Sequence, residues 1–253
     1  SSELVVSVAE DVCFLGKLIS VKDVQNFSGT IYDIDKKWDK ESSSGTLLKT
    51  KDAMHCWLAT AVDMLGIAGY CENSEDLNEI FRRKSEEIYS ASQESRGGGI
   101  NSAIVHLLRD MNIDFKQVYK EESTIGFNFD DIYDIRDAQN NAMSAWGGGF
   151  FSKMTFAEIE KRMMNGDAIG LGIRTLSSPD KDGHAITLYG FAYDNEKNVI
   201  GIYVTDSDDI AYNEKNDIEY IPVCFDENSG RWLLGNSSNG VGYGAVGYFL
   251  AWY

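Results

Sequence analysis

The sequence predicts an α+β fold in which an antiparallel sheet packs on helices, and two observations predict it. Much of the first two thirds of the chain carries apolar residues at helical spacing, whereas from Ala168 onward short apolar runs alternate with turn signals. Helices followed by strands, rather than alternating with them, are typical of this class. With 253 residues the chain is long enough to bury a full core, and we expect residues 1–253 to form a single domain.

The N-terminal part is predicted to be extended until a helix begins at Cys56. Residues 4–8 and 18–21 are short apolar runs that indicate strands, and residues 36–55, with serines and a glycine at their centre, are expected to form an exposed loop. After Cys56, apolar residues recur at helical spacing at Trp57, Ala61, Met64, Leu65 and Ala68. The Cys56 thiol is therefore expected at a helix N-terminus, where backbone amides and the helix dipole favour a thiolate.

The same rules predict three further helices and five strands. The helices cover 74–90, 100–111 and 155–165, the last with Thr155 as its N-cap. The strands cover 168–174, 184–193, 199–206, 218–224 and 245–253. The acidic and aromatic stretch 127–137 is expected to be irregular.

Charge and hydropathy exclude several classes of partner. The formal net charge is −17 and the pI is near 4.5, which argues against nucleic acid or an anionic membrane surface. No apolar stretch approaches the length of a membrane span, so no membrane insertion is expected. The first eight residues lack the basic and apolar regions of a signal peptide, so none is expected to remain, and the missing initiator Met suits either a processed mature protein or a trimmed chain.

The four cysteines stand at positions 13, 56, 71 and 224 without a CxxC pair, which argues against zinc ligation and thioredoxin-type chemistry. If the protein is secreted, Cys13, Cys71 and Cys224 supply thiols for one disulfide, whereas free buried thiols fit the sequence equally well. No metal and no organic cofactor is implied.

A thiol nucleophile needs a base, and the chain has only three histidines. His55 precedes Cys56, but adjacent helical side chains point about 100° apart, so direct contact is not expected. His106 lies mid-helix among apolar residues and is interpreted as structural. His184 opens a predicted strand directly after Asp182 and Gly183, where a scaffold can direct an imidazole into a cleft. His184 is therefore the candidate base.

A β-hairpin is predicted to bring a carboxylate to His184. Two strands flank the turn-rich residues 194–198. The expected register sets Tyr193 against Val199, Ile186 against Asp206, and His184 against Asp208. A slip of a residue or two still leaves an aspartate near the imidazole, where it fixes the tautomer and stabilises the imidazolium.

The acidic turn 206–209 has two other interpretations, a calcium loop and a solvated turn. An EF-hand loop that began at Asp206 would need glycine at its sixth position and glutamate at its twelfth. The chain has Ala211 and Asp217 there, so a calcium loop is disfavoured, while a solvated turn stays open.

Five stretches resemble a known family. They are Ile-Tyr-Asp-Ile-Asp-Lys (31–36), the segment that begins Cys-Trp-Leu-Ala-Thr-Ala (56–65), Trp-Gly-Gly-Gly-Phe (146–150), Gly-His-Ala-Ile-Thr-Leu-Tyr-Gly (183–190) and Ile-Tyr-Val-Thr-Asp-Ser-Asp (202–208). In these stretches the chain resembles the bacterial immunoglobulin-degrading cysteine endopeptidases of the Mac/IdeS type, a papain-like group. The resemblance implies a papain-like cysteine protease fold, with the cysteine on the helical part and the histidine and aspartate on the antiparallel sheet.

The resemblance also implies roles for five residues. Cys56 would be the nucleophile, His184 the general base, Asp206 the residue that orients it and Asp208 a second acidic residue, while Lys36 would join the Cys56 amide in the oxyanion hole. The interval between Lys36 and Cys56 is longer here than in the family, so Lys49 and Lys51 stand as alternatives to Lys36.

The function implied by the resemblance is a secreted or cell-surface bacterial cysteine endopeptidase that cleaves immunoglobulin heavy chains in or near the hinge. Two alternatives remain open: a papain-like thiol peptidase with another protein substrate, and a catalytically weak immunoglobulin-binding protein of immune evasion. Trp57 stands where the family has a small residue, and the helical stretch 72–145 resembles the family least.

Overall fold

The computed structural model describes residues 11–36, 38–39, 48–49, 51–71, 73–92, 97–113, 153–175, 183–208, 218–226, 231–235 and 243–250. The helices within these ranges are α1 (Val21–Gln25), α2 (Cys56–Ile67), α3 (Ser74–Ser92), α4 (Ile100–Asp110) and α5 (Lys153–Met164). The strands there are β1 (Asp11–Phe14), β2 (Lys17–Ser20), β3 (Trp38–Asp39), β4 (Leu48–Lys49), β5 (Ala168–Thr175), β6 (Gly183–Tyr193), β7 (Val199–Thr205), β8 (Glu219–Asp226), β9 (Arg231–Leu234) and β10 (Tyr243–Leu250).

Six antiparallel strands form a closed ring in the order β6, β5, β10, β9, β8 and β7, because β7 pairs again with β6. Along its other edge, β6 pairs with β5 through its first half and with β1 through its second half. Apolar side chains of alternate residues fill the ring, among them Ile169, Ile186, Leu188, Ile202 and Val204. This ring and the helices beside it confirm the predicted α+β class.

Helix α2 lies against the outside of this ring and forms the centre of the helical half. It contacts α3 and α4 on one side and β5 and β6 on the other. Its side chains are buried from Leu58 to Gly66, and each fully buried leucine or methionine contributes roughly 1.5–3 kcal/mol. The helix approaches β5 closely at Gly170, where a Cβ would lie 2.7 Å from Cγ2 of Thr60. A side chain at Gly170 would therefore push α2 off the sheet.

The helix predictions are confirmed to within two residues at most ends, with one error at α5. Helices α3 and α4 cover Ser74–Ser92 and Ile100–Asp110. Helix α5 begins at Lys153, so Thr155 lies inside its first turn, and its prediction as the N-cap was wrong. Capping preference marks a helix start only to within a residue or two.

The strand predictions 168–174, 184–193, 199–206 and 218–224 correspond to β5, β6, β7 and β8, while β10 begins two residues before the predicted start at 245. The prediction of 18–21 corresponds to β2. No prediction covered α1, β1 or β9, which have five, four and four residues and carry too little periodicity; α1 also lies where the chain was expected to be extended. The predictions for 4–8 and 127–137 lie outside the described residues.

The expected exposed loop over 36–55 was wrong in part. It contains the β3–β4 pair, and its ends carry the buried residues Lys36, Asp52, Ala53 and His55. These ends are buried because they pack at the N-terminus of α2, beside Cys56. No helix among the described residues has both the length and the apolar character needed to cross a bilayer.

All four cysteines are free thiols. Cys13 is buried on β1, and its thiol donates to the Met164 sulfur at 3.1 Å. Burial raises the pKa of Cys13 to about 11, and the nearby Glu160 carboxylate adds to the shift. This thiol is therefore protonated and unreactive at neutral pH. Of the three cysteines expected to be free buried thiols or to supply one disulfide, none forms a disulfide and only Cys13 is buried, whereas Cys71 is half-buried and Cys224 is exposed.

Candidate active site

Cys56 is the first residue of α2 and follows the N-cap residue His55. The amides of Leu58 and Ala59 both donate to the His55 carbonyl at 3.0 Å, which starts the helix. Backbone N–H groups at the start of a helix carry its partial positive charge, and the half-buried Cys56 lies among them. The sulfur lies where the sequence predicted it, at the positive end of the helix dipole.

His184 meets the Cys56 thiol and lies at the entrance of β6, at one end of the strand ring. Its Nε2 is 2.6 Å from Oδ1 of Asp206, and Cys56 lies near enough to affect the pKa of the ring. Since Asp206 takes Nε2, the ring nitrogen that remains is Nδ1. Burial lowers the pKa of His184, but the hydrogen bonds to Asp206 and Cys56 outweigh it and raise the pKa to about 10. The imidazole is thus a cation at neutral pH, as a thiolate–imidazolium pair requires.

Asp206 directly follows β7 and is fixed from two sides. Its Oδ1 accepts the His184 hydrogen bond and also the backbone N–H of Asp208 at 2.9 Å. The Asp206 side chain is only 24% exposed, so its interaction with the imidazolium is partly shielded from water. This carboxylate holds the ring in one orientation.

The β6–β7 register reaches this end of the sheet as predicted. Near the turn Tyr193 pairs with Val199, as predicted. Near the site Thr187 pairs with Thr205, which is the partner that the same register requires. Two irregularities, one between Ala192 and Tyr193 and one between Leu188 and Gly190, shift the pairing by one residue and then restore it. The strand end therefore carries His184 and Asp206 to the same place.

Asp208 and Lys36 form the outer part of the site. Asp208 Oδ2 lies 3.8 Å from His184 Nδ1, and its Oδ1 forms an ion pair with Lys36 Nζ. The same Nζ donates to the Ala53 carbonyl at 2.7 Å, and the Lys36 amide donates to the Ser207 carbonyl at 3.1 Å. Lys36 is only 5% exposed. It thus links the residues just before α2 to the loop that carries the two aspartates.

The alternatives to Lys36 are placed differently. Lys51 is exposed, and its Nζ lies 5.3 Å from the centre of the Tyr89 ring on α3, as a cation–π contact. Lys49 has its backbone in β4, and its side chain is outside the described part of the chain. Lys36 is therefore the lysine that the described side chains bring to the site.

The other two histidines do not take the place of His184. The His55 ring is fully buried beside Trp57, at 6.2 Å between ring centres in an edge-to-face arrangement. Burial lowers the pKa of His55, which keeps it neutral. His106 is exposed on α4, not buried as its structural interpretation assumed. Partial shielding of its ring from water and the nearby Lys84 charge lower its pKa.

Trp57 packs against the glycine segment 97–99. A Cβ at Gly98 would lie 2.6 Å from the Trp57 ring, so this contact requires glycine. The tryptophan is half-buried there and beside His55, which shows how the chain accommodates a large residue next to the cysteine. The sequence alone gave no sign of this contact.

His184, Asp206 and Asp208 also offer ligand atoms within 4.8 Å of one another, a spacing that a metal ion can use. In this arrangement Lys36 and the imidazolium already supply positive charge to both carboxylates. These ion pairs account for the cluster without a metal.

An α+β fold with a thiol at a helix N-terminus and an imidazole–carboxylate pair on an antiparallel sheet defines the papain-like class of protein. Within this class, a family model described as Mac 1 matches residues 99–242, more than half of the chain. The chain belongs to this family, as its sequence motifs predicted. The match includes His184, Asp206 and Asp208, whereas Lys36 and Cys56 precede it. Among curated proteins, no match to the chain was found.

Proposed function

We propose that the protein is a cysteine endopeptidase in which Cys56 attacks a peptide bond. The observation that carries the proposal is the position of His184, whose Nε2 pairs with Asp206 at 2.6 Å and whose ring lies near enough to Cys56 for the thiol to affect its pKa. A thiolate, an imidazolium and an orienting carboxylate in this order suit acyl transfer to sulfur. Membership of the Mac 1 family, which is linked to cysteine peptidase-like proteins, supports the same reaction.

In the first half-reaction the Cys56 sulfur bonds to the peptide carbonyl carbon and the carbonyl π electrons move to oxygen. The Cys56 amide and Lys36 stabilise this oxyanion. When the tetrahedral intermediate collapses, the C–N bond breaks and the His184 imidazolium gives its proton to the leaving amine. The products are a thioester on Cys56 and a free amine.

In the second half-reaction neutral His184 takes a proton from water as the oxygen attacks the thioester carbonyl. The C–S bond then breaks, the carboxylic acid leaves, and the thiolate–imidazolium pair is restored. Atoms and charge balance without a cofactor, and Asp206 keeps the imidazole in place throughout.

The proposed substrate is an immunoglobulin heavy chain, cut in or near the hinge by a secreted or cell-surface enzyme. Family membership supports an immunoglobulin-related role. A hinge is an extended, accessible segment, which suits a site at the exposed junction between the helical half and the strand ring.

The test is to digest purified IgG, IgA and IgM side by side and to locate each cut by mass spectrometry. We expect new heavy-chain fragments with the wild-type protein and none with Cys56→Ala or after alkylation by iodoacetamide. Cleavage that survives both treatments would show that the thiol is not the nucleophile.

Two other outcomes separate the alternatives. A stable complex with uncleaved immunoglobulin, unaffected by Cys56→Ala, would favour a binding protein of immune evasion. Cleavage of other proteins, with all three immunoglobulins left intact, would favour a papain-like peptidase with a different substrate.

A further inference from the structure

The candidate site joins three separate segments, and their relative position depends on contacts away from the reacting atoms. Cys56 lies on α2, His184 on β6, and Lys36 at the end of the extended segment 31–36. A shift of one segment against another by about 1 Å is enough to cost roughly 10²-fold in rate. A group that holds all three segments together would therefore act on the reaction without contacting the substrate.

Asp63 is placed to do this. It follows Cys56 by seven residues, which puts both side chains on the same face of α2, about two turns apart. Its Oδ1 accepts the backbone N–H of Ile34 at 3.0 Å, and its Oδ2 accepts the Thr187 hydroxyl at 2.9 Å. Ile34 is two residues before Lys36, and Thr187 is three residues after His184. One carboxylate thus ties both partner segments to the helix of the nucleophile.

A carboxylate is a costly residue at this position. Asp63 is 3% exposed, and burial, with the Asp33 carboxylate nearby, holds its pKa well above the usual range. An apolar side chain of similar size would pack there without this desolvation cost. The carboxylate differs from such a side chain in its two directed hydrogen bonds, and these define where the segments lie.

We propose that Asp63 is a positioning residue that sets His184 and Lys36 relative to Cys56 through its hydrogen bonds to Thr187 and Ile34. The inference rests on the proposed function for its effect on turnover. Its effect on the thiolate–imidazolium pair is independent of any substrate, because the reaction of Cys56 with iodoacetamide reports that pair directly.

Four variants test the inference. Asp63→Leu removes both hydrogen bonds and keeps the branched outline of the side chain with a larger volume, and Asp63→Asn keeps an acceptor for the Ile34 N–H and a donor for the Thr187 oxygen. Thr187→Val removes only one hydroxyl. The matched control is Thr60→Val, which makes the same change at another buried threonine, on α2, whose methyl group faces β5.

With the wild-type protein and each variant, we would measure kcat and KM for the cleaved substrate, the pH profile of Cys56 alkylation, and thermal unfolding. For Asp63→Leu we expect kcat to fall on the order of 10²-fold with little change in KM, and the alkylation profile to move. For Thr187→Val we expect a loss of about tenfold, the equivalent of one hydrogen bond. Asp63→Asn should restore most of kcat, and Thr60→Val should leave kcat and the profile unchanged.

Wild-type kcat and an unmoved alkylation profile in Thr187→Val and in folded Asp63→Leu would overturn the inference. If Asp63→Leu does not fold, the comparison of Thr187→Val with Thr60→Val decides the question. Equal losses of kcat in these two variants would show that Asp63 has a purely structural role. If the wild-type protein cleaves nothing, the proposed function fails, yet the alkylation profiles still decide whether Asp63 positions His184.

Discussion

At the scale of single residues, the proposed chemistry depends on His184, whose Nε2 lies 2.6 Å from Oδ1 of Asp206 and whose pKa is affected by Cys56. The pKa of about 10 is the balance of burial, which opposes the charge, and of hydrogen bonds to Asp206 and Cys56, which favour it. In the proposed mechanism, the charged form of His184 is the acid that protonates the leaving amine. It is present below about pH 10 and is lost as the pH rises through that value.

Replacing Asp206 by asparagine should therefore change the alkaline limb of the pH–rate profile. In the wild type the rate is expected to fall as the pH rises through about 10, the pKa of His184. In the variant this fall is expected at lower pH, because the neutral amide stabilises the imidazolium less than the carboxylate does. At neutral pH, kcat should fall by about 10²- to 10⁴-fold. The measurement is kcat/KM against pH.

Asp194→Asn provides the control for this variant. It makes the same change in the same hairpin, at a half-buried turn residue that accepts the Asn198 backbone N–H at 2.8 Å. It should leave the profile unchanged. An Asp206→Asn limb that coincides with that of the wild type would contradict the assigned role of Asp206.

The oxyanion role of Lys36 can be tested against Lys51. Lys36→Met should lower kcat on the order of 10²- to 10³-fold, the usual cost of losing one oxyanion donor. Lys51→Met, which removes a cation from above the Tyr89 ring, should retain wild-type kcat. Single-turnover cleavage rates distinguish the two variants. A larger loss of rate in Lys51→Met than in Lys36→Met would assign the oxyanion role to Lys51 instead.

At the scale of elements, the site depends on how β6 is held between three other strands. Gly190 lies where the β6–β7 pairing returns to its original register, and it also pairs with Phe14 on β1. A Cβ at Gly190 would lie 2.8 Å from the Cys13 carbonyl oxygen, a backbone atom with little freedom to move. This close approach explains why the strand needs a glycine between two large aromatic residues.

Gly190→Ala is accordingly expected to destabilise the protein by about 1–3 kcal/mol, the typical cost of overpacking. Gly97→Ala is the control, because a Cβ there meets nothing within 4 Å. Chemical denaturation of both variants measures the difference in the free energy of unfolding. An equal free energy of unfolding for the two variants would mean that β1 shifts to accommodate the Cβ without loss of stability.

At the scale of the whole molecule, family membership and geometry cover different parts of the proposed site. The Mac 1 match covers the strand-borne residues, whereas Cys56 and Lys36 lie outside it. Their assignment therefore rests on the fold, which brings the N-terminus of α2 and the segment 31–36 to His184 and Asp208. The choice between immunoglobulin and another protein as substrate also depends on the whole molecule. A protein substrate is selected by a large surface and not by the three catalytic residues alone.

The thiol inventory gives a prediction for the whole chain. Because all four cysteines are free, the protein unfolded in denaturant without reductant should titrate four thiols with Ellman's reagent. In the folded state the buried Cys13 should react last, because its raised pKa leaves little thiolate. A titration of two thiols would indicate a disulfide.

The sequence by itself determined the α+β class, the position of Cys56 at a helix start and the hairpin that pairs His184 with an acid. Each follows from local information: apolar periodicity, turn signals, and a register that one short turn fixes. The two irregularities in that hairpin were not visible in the sequence, yet they cancel, so the predicted register held at the site.

Only the tertiary structure decided what depends on contacts between distant segments. Lys36 is buried against the Ala53 carbonyl and Asp208, whereas Lys51 is exposed beside Tyr89, and distance along the sequence carries no information on that. Asp63 could have been noticed as a lone carboxylate on an apolar helix face, but its partners Ile34 and Thr187 are 29 and 124 residues away. Such hydrogen bonds form only when the helix, the extended segment and the strand ring pack together.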